Sequence, residues 1–268
     1  MSLFRFMNYD NAMDVIQNQR LRISNPRYFN DPFDSRVAVD DNDPEFLKLI
    51  NQWPRVRIPI GACGCYGNPH EREIEHYNKL IKDAVFNRDI CEIEKWRVAC
   101  FSKQTEWEKY ILMWSLYADS HKGAMIEFCP DFEIFMSKNF ELLDVEYKKE
   151  RETIHYRDSL DEATIRSKRK KALAIKSQAW AYKKETRLII PADKFDDRSS
   201  SLLFRGKTEK YDKDYLRIKH EWISKVYCGA MMTQEDFEKM KKEADKKSID
   251  CVKLRLCAVK YALHDFGK

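Results

Sequence analysis

The sequence predicts an α+β fold of mixed, mainly antiparallel sheets with peripheral helices. Three observations carry that expectation. Apolar runs of strand length recur along the chain, helical patterns fall between them without regular alternation, and no segment repeats. Irregular order argues against a doubly wound parallel sheet. With neither repeat nor low-complexity linker, the 268 residues read as one domain, 1–268, carrying a helical insertion at about 40–95. Hydrophobic content of 43% with 13% aromatic excludes a disordered chain.

In chain order, Leu3 to Phe6 reads as a strand, Asn11 to Asn18 as a helix and Arg20 to Ser24 as an alternating strand. Asn30-Asp31-Pro32-Phe33-Asp34 is a turn, because Pro32 biases Asp31 away from helix. The polar insertion carries helical patterns at Glu45–Gln52 and Glu71–Phe86. Val98 to Phe101 is a buried strand ending at Ser102. Thr105 and Glu108 have capping-box spacing for a helix whose face carries Tyr110, Ile111, Trp114 and Tyr117. Gly123 is expected to end that helix in a left-handed turn, and Ala124 to Phe128 is extended.

Phe140 to Tyr147 is expected as one strand, Asp161 to Lys176 as a long basic helix, and Thr186 to Ile190 as a strand closed by Pro191. Tyr215–Ile218 and Trp222–Tyr227 are strands, Gln234–Lys247 is an amphipathic helix, and Cys251–Leu263 supplies one or two last strands.

Several function classes fall away. No apolar run approaches the ~20 residues that span a bilayer, and Asn8, Asp10 and Asp14 interrupt any secretory leader, so a cytoplasmic protein without a membrane partner is expected. Eight cysteines then read as reduced thiols. Cys63-Gly-Cys65, with His70 and Cys91 downstream, lacks the paired knuckles of a zinc site, so no metal is expected. A net charge of +5 permits a phosphate-bearing partner. The run from Arg166 to Lys171 is either a solvated helix face or a nucleic-acid contact.

Polar groups crowd the stretch from Val98 to Phe128, at Ser102, Tyr117, His121 and Glu127. The order Phe29-Asn-Asp-Pro-Phe33, Cys100-Phe-Ser102, Met113-Trp-Ser-Leu-Tyr117-Ala-Asp-Ser-His121-Lys-Gly123, Trp180, Lys184-Glu185-Thr-Arg187-Leu188 and Trp222-Ile-Ser-Lys-Val-Tyr-Cys-Gly229 resembles a large bacterial family of domain-of-unknown-function proteins. Its motifs are also similar, in order and spacing, to the ADP-ribosyltransferase fold, which cleaves the nicotinamide–ribose bond of NAD. That resemblance implies Arg5 on the first strand, Ser102 in the middle motif and Glu185 on the late strand.

In such a site Glu185 and Ser102 are the catalytic candidates. The carboxylate would stabilise oxocarbenium-like charge and Ser102 would orient the ribose. Arg5, Tyr117, Trp114 and His121 are the candidates for holding NAD: the Arg5 fork on phosphate or ribose, and Tyr117 or Trp114 against the nicotinamide ring. Two departures bear on it. No glycine follows Arg5, and Lys183 stands where arginine-modifying members carry an acid. The resemblance therefore points to an NAD-consuming transferase or glycohydrolase of a toxin or phage-defence system, acting on a nucleotide, a nucleic-acid base or water. Two alternatives stay open: a non-catalytic nucleotide- or nucleic-acid-binding module, and an accessory interaction domain. Each residue also has a structural reading, in which Glu185 pairs with Lys183 or Arg187 on an exposed strand face, Trp114 is core and His121 serves the helix C-terminus.

Overall fold

A computed structural model describes residues 1–52, 70–85, 93–103, 110–197, 200–206 and 213–265. It confirms an α+β fold with mainly antiparallel sheets. The chain divides into two compact units: Met1–Tyr28, Lys95–Val145 and Ala179–Lys268 form the first, Phe29–Glu94 and Glu146–Gln178 the second.

The first unit is organised by a seven-stranded sheet. Its strands are β1 (Leu3–Met7), β4 (Trp96–Ser102), β5 (Ala124–Phe128), β6 (Glu141–Asp144), β10 (Glu185–Pro191), β13 (Ile223–Cys228) and β14 (Asp250–Lys253), in the order β14-β13-β5-β1-β4-β10-β6. Every neighbouring pair is antiparallel except β13 with β14. Side chains alternate across the sheet. Leu3, Met7, Phe101, Ile126, Leu188 and Val226 join one core with Ile16 of helix α1 (Tyr9–Asn18), Phe132 and Met240. Phe4, Phe6, Met125 and Tyr227 join a second core with Met113 and Trp114 of helix α4 (Ile111–Tyr117).

Local chemistry sets the element ends. Asn8 caps α1 through its side-chain oxygen, and left-handed Gln19 closes it. Strand β2 (Arg20–Ile23) follows at once, and Ser24 then exchanges both backbone hydrogen bonds with Val98 of β4. Strand β1 is in register with β4 at Phe4 and Ser102 alone, so the two strands separate beyond that point.

Gly123 does not supply a left-handed helix end. Asp119, Ser120 and His121 do, with φ of 47°, 52° and 67°, while the Trp114 carbonyl accepts from the N–H groups of both Ala118 and His121. Gly123 is required for space instead: a Cβ there would lie 2.2 Å from the Met7 carbonyl oxygen. Gly229 packs equally close, donating to the Gly123 carbonyl, where a Cβ would lie 2.0 Å from the His121 oxygen. The Thr105–Glu108 capping box lies outside the described residues, as do Cys63, Cys65 and Cys91.

The second unit has its own core of Val37, Phe46, Tyr77, Leu80, Ile154, Tyr156 and Ile165. It is built from helices α2 (Pro44–Gln52), α3 (Glu71–Val85) and α6 (Glu162–Ala172) with two parallel strand pairs: β3 (Ala38–Val39) on β8 (Thr153–Ile154), and β7 (Glu146–Lys148) on β9 (Ile175–Ser177). Two expected elements are thereby corrected. The strand expected over Phe140–Tyr147 breaks at Val145, because β6 pairs with β10 while β7 pairs with β9. The basic helix stops at Ala172, because Ile175 to Ser177 are drawn into that second pairing. Among the described residues no helix is long and apolar enough to cross a membrane.

Candidate functional site

Register places Glu185 beside Ser102 and Ser102 beside Phe4, all on the Trp114 side of the sheet. Glu185 opens β10 and is 4% exposed, so the expected exposed strand face is in fact buried. Its Oε1 accepts from Arg187 Nε at 2.7 Å, and Lys183 Nζ lies 3.5 Å from Oε2. A strand period of two puts Glu185 and Arg187 on one face, so this pairing follows from their spacing. Lys183 also sits 4.1 Å from the centre of the Tyr117 ring and 5.0 Å from that of Trp180. Ser102 Oγ donates to the Lys183 carbonyl at 2.7 Å. Ser102, Glu185 and Tyr117 are thus gathered around one buried lysine.

Arg5 is not in that group. It shares the parity of Leu3 and Met7, and its guanidinium lies 5.7 Å from the Phe101 ring, on the opposite face of the sheet. Nη2 donates to the Arg22 carbonyl at 2.9 Å, whereas Nη1 is buried and makes no hydrogen bond among the described residues. Burial lowers the Arg5 pKa to about 10, which leaves it charged at neutral pH.

Arg5 lines a cavity of about 390 Å³ bounded by β1, the start of α1, β2 and the Leu116–Asp119 end of α4. Arg20 and Arg22 add two further arginines to its wall, with Asp14 and Asp119 as the acids. Arg20 is held by Asp14 through Nε at 2.8 Å. Tyr117 lines this cavity too, and its hydroxyl is a second buried group with no hydrogen-bond partner among the described residues. Tyr117 is therefore the one sequence-derived candidate that belongs to both places.

Trp114 is fully buried and packs edge-on against Phe6, which makes it core. The His121 ring stacks on Trp114 and meets Ser115 Oγ at 3.2 Å. Burial holds its pKa below the usual value, so it does not act as a cation at the helix end. Glu127 accepts from the Tyr227 hydroxyl at 3.0 Å. In the basic run, Lys168 and Lys171 are engaged by Asp158 and Glu152, while Arg166 and Lys170 stay exposed.

Among the described residues, Asp40, Asp43 and His155 offer ligand atoms within 4.8 Å of one another. Asp43 already caps α2, accepting from the N–H groups of Glu45 and Phe46.

Sequence reasoning missed the buried position of Lys183 and the cleft beside Arg5. The signal for the first was weak, since a lysine next to a strand reads as exposed. No signal for the second existed, because a cleft made where two strands diverge has no periodicity.

Fold and site together define an α+β protein with a ligand-sized basic cleft beside Arg5 and a buried charge cluster around Glu185. Residues 113–188 match the family described as Protein of unknown function (DUF2971), so this stretch is similar to a domain-of-unknown-function family. The match takes in Tyr117, His121, Lys183 and Glu185; Arg5 and Ser102 lie outside it. Neither the curated proteins nor the solved structures include a match to the chain.

Proposed function

We propose that the chain binds a phosphate-bearing nucleotide in the cleft beside Arg5. One observation carries the reading: Arg5 and Tyr117 both line one cavity, and Arg5 Nη1 and the Tyr117 hydroxyl are both buried with no hydrogen-bond partner among the described residues. Natural structures leave few buried donors unmade, because each costs about 1–3 kcal/mol. A phosphate oxygen supplies the missing acceptor, and a guanidinium fork suits it geometrically. A cavity of about 390 Å³ is of the size that holds a small ligand.

The test is calorimetric titration of the full chain with AMP, ADP and NAD at low salt. Arg5→Met and Tyr117→Phe should each weaken binding about tenfold or more, the scale of a charge-assisted hydrogen bond. No saturable binding, or binding indifferent to both substitutions, sinks the reading.

A second reading keeps NAD as a substrate, cleaved by a transferase or glycohydrolase of a toxin or defence system. It is favoured by Tyr117, whose ring contacts Lys183 next to Glu185 while the residue also lines the cleft. It requires nicotinamide release that stops in Glu185→Gln. Against it weighs the engagement of Glu185 by Arg187 and Lys183.

A further inference from the structure

We infer that the second unit holds an anion site of its own, formed by Arg36 of the Asn30–Val37 loop and by Arg151, which reaches that loop from the segment between β7 and β8, and suited to a phosphate group. The loop is preformed. Asp31 Oδ1 accepts from Phe33 N–H at 2.9 Å, Asp34 N–H donates to the Asp31 carbonyl at 3.1 Å, and Ser35 holds a left-handed φ of 62°.

Its inner side is anchored by a buried ion pair. Lys176 Nζ reaches Asp34 Oδ2 at 2.6 Å, and Ser35 Oγ donates to Oδ1 of the same carboxylate. Buried pairs of this kind contribute little net stability, so fixing the loop's shape is the role left for it.

The outer side carries the arginines. Arg151 Nη2 donates to the Val37 carbonyl at 2.7 Å, and its guanidinium stands 5.5 Å from the Phe33 ring. That places it across the loop segment holding Arg36. Arg151 Nε and Arg36 Nη1 are both buried and form no hydrogen bond among the described residues. Burial and the charge of Arg36 together lower the Arg151 pKa, with Asp31 opposing. Two cations repelling each other, each with a buried N–H unmade, are relieved together by a multivalent oxyanion. A phosphate offers several acceptor oxygens at once and up to two negative charges. The Phe33 ring beside them is 61% exposed and could take the flat face of a base attached to that phosphate.

The site is independent of the Arg5 cleft, so the experiment uses full-length Arg5→Met protein, in which that cleft is disabled. Inorganic phosphate and AMP are titrated by calorimetry. Retained saturable phosphate binding, weakened at least tenfold by Arg36→Met and by Arg151→Lys, supports the site. Arg151→Lys preserves charge but removes Nε, so its effect reads the fork and not the charge. Arg36→Met should melt no lower than its parent, which separates lost binding from misfolding. Absence of saturable phosphate binding in Arg5→Met protein, or equal binding after both arginine changes, overturns the proposal. AMP tighter than phosphate, with the gain lost in Phe33→Ala, assigns the phosphate to a nucleotide; equal affinities assign it to the free ion.

Discussion

Glu185 and Arg5 are both ionised groups withdrawn from water in the same sheet, one on each face, and their surroundings differ sharply. Glu185 is met by Arg187 and Lys183, and the neighbouring Ser102 fixes the Lys183 backbone. Arg5 has one backbone acceptor and one buried N–H left over, beside a cavity. A charge whose partners are all protein belongs to the architecture. A donor that the fold leaves short is where a ligand completes the hydrogen bonding. On that ground the proposed ligand is placed in the cleft rather than at the acidic residue.

The largest expected effect follows from removing one side of the buried pair. Glu185→Gln should cost about 3–5 kcal/mol in urea denaturation, since the change breaks the buried ion pair that Glu185 makes with Arg187. A loss below ~1 kcal/mol would break the comparison and return Glu185 to the catalytic reading. Replacing both charges, as in Glu185→Gln with Arg187→Met, should recover most of that loss, because removing a buried pair whole is often neutral. A double variant as unstable as the single one would show that the cluster is not a pair. Ser102→Ala should cost about 1 kcal/mol, one hydrogen bond's worth.

His121 sharpens the same contrast through pH. Its unfolded form titrates near the ordinary 6.5, and burial holds the folded form lower. As pH falls, the unfolded chain takes up the proton first, so stability present above about 6.5 is lost toward the folded pKa. Denaturation midpoints measured from pH 8 to 5 should fall less in His121→Asn, a residue that tolerates the left-handed backbone there. Superimposable profiles would rule His121 out as a source. The smallest effect is expected at Arg5: Arg5→Met should change stability by less than about 1 kcal/mol, because one hydrogen bond is lost as one orphan is removed.

Much of the fold was legible because periodicity reports it. The strand at Val98, the helix over Asn11–Asn18 and the strand at Thr186 lie where their apolar patterns place them. Gly123 was legible as special but not in its reason, since the carbonyl that crowds it comes from Met7. The break at Val145 was hidden, because apolar residues recur all along Phe140 to Tyr147 while its halves pair with different strands. The candidate site was legible only by type. Sequence offers Arg5, Ser102, Tyr117 and Glu185 as chemistry; strand parity decides that Arg5 faces away from Ser102 and Glu185.

The turn from Ala118 to Gly123 carries a consequence for the order of folding. Three successive left-handed non-glycine residues cost about 1–2 kcal/mol each when unsupported. Part of their support is local, from the N–H groups of Ser120, His121 and Gly123 to the carbonyls of Ser115, Trp114 and Ala118; the rest comes from downstream, where Gly229 and Met231 donate to the Gly123 and His121 carbonyls. On a ribosome the turn emerges long before Gly229 and Met231 do, and its closing hydrogen bonds wait for them. The stretch that reads as most self-sufficient in the sequence is thus expected to be among the last to lock.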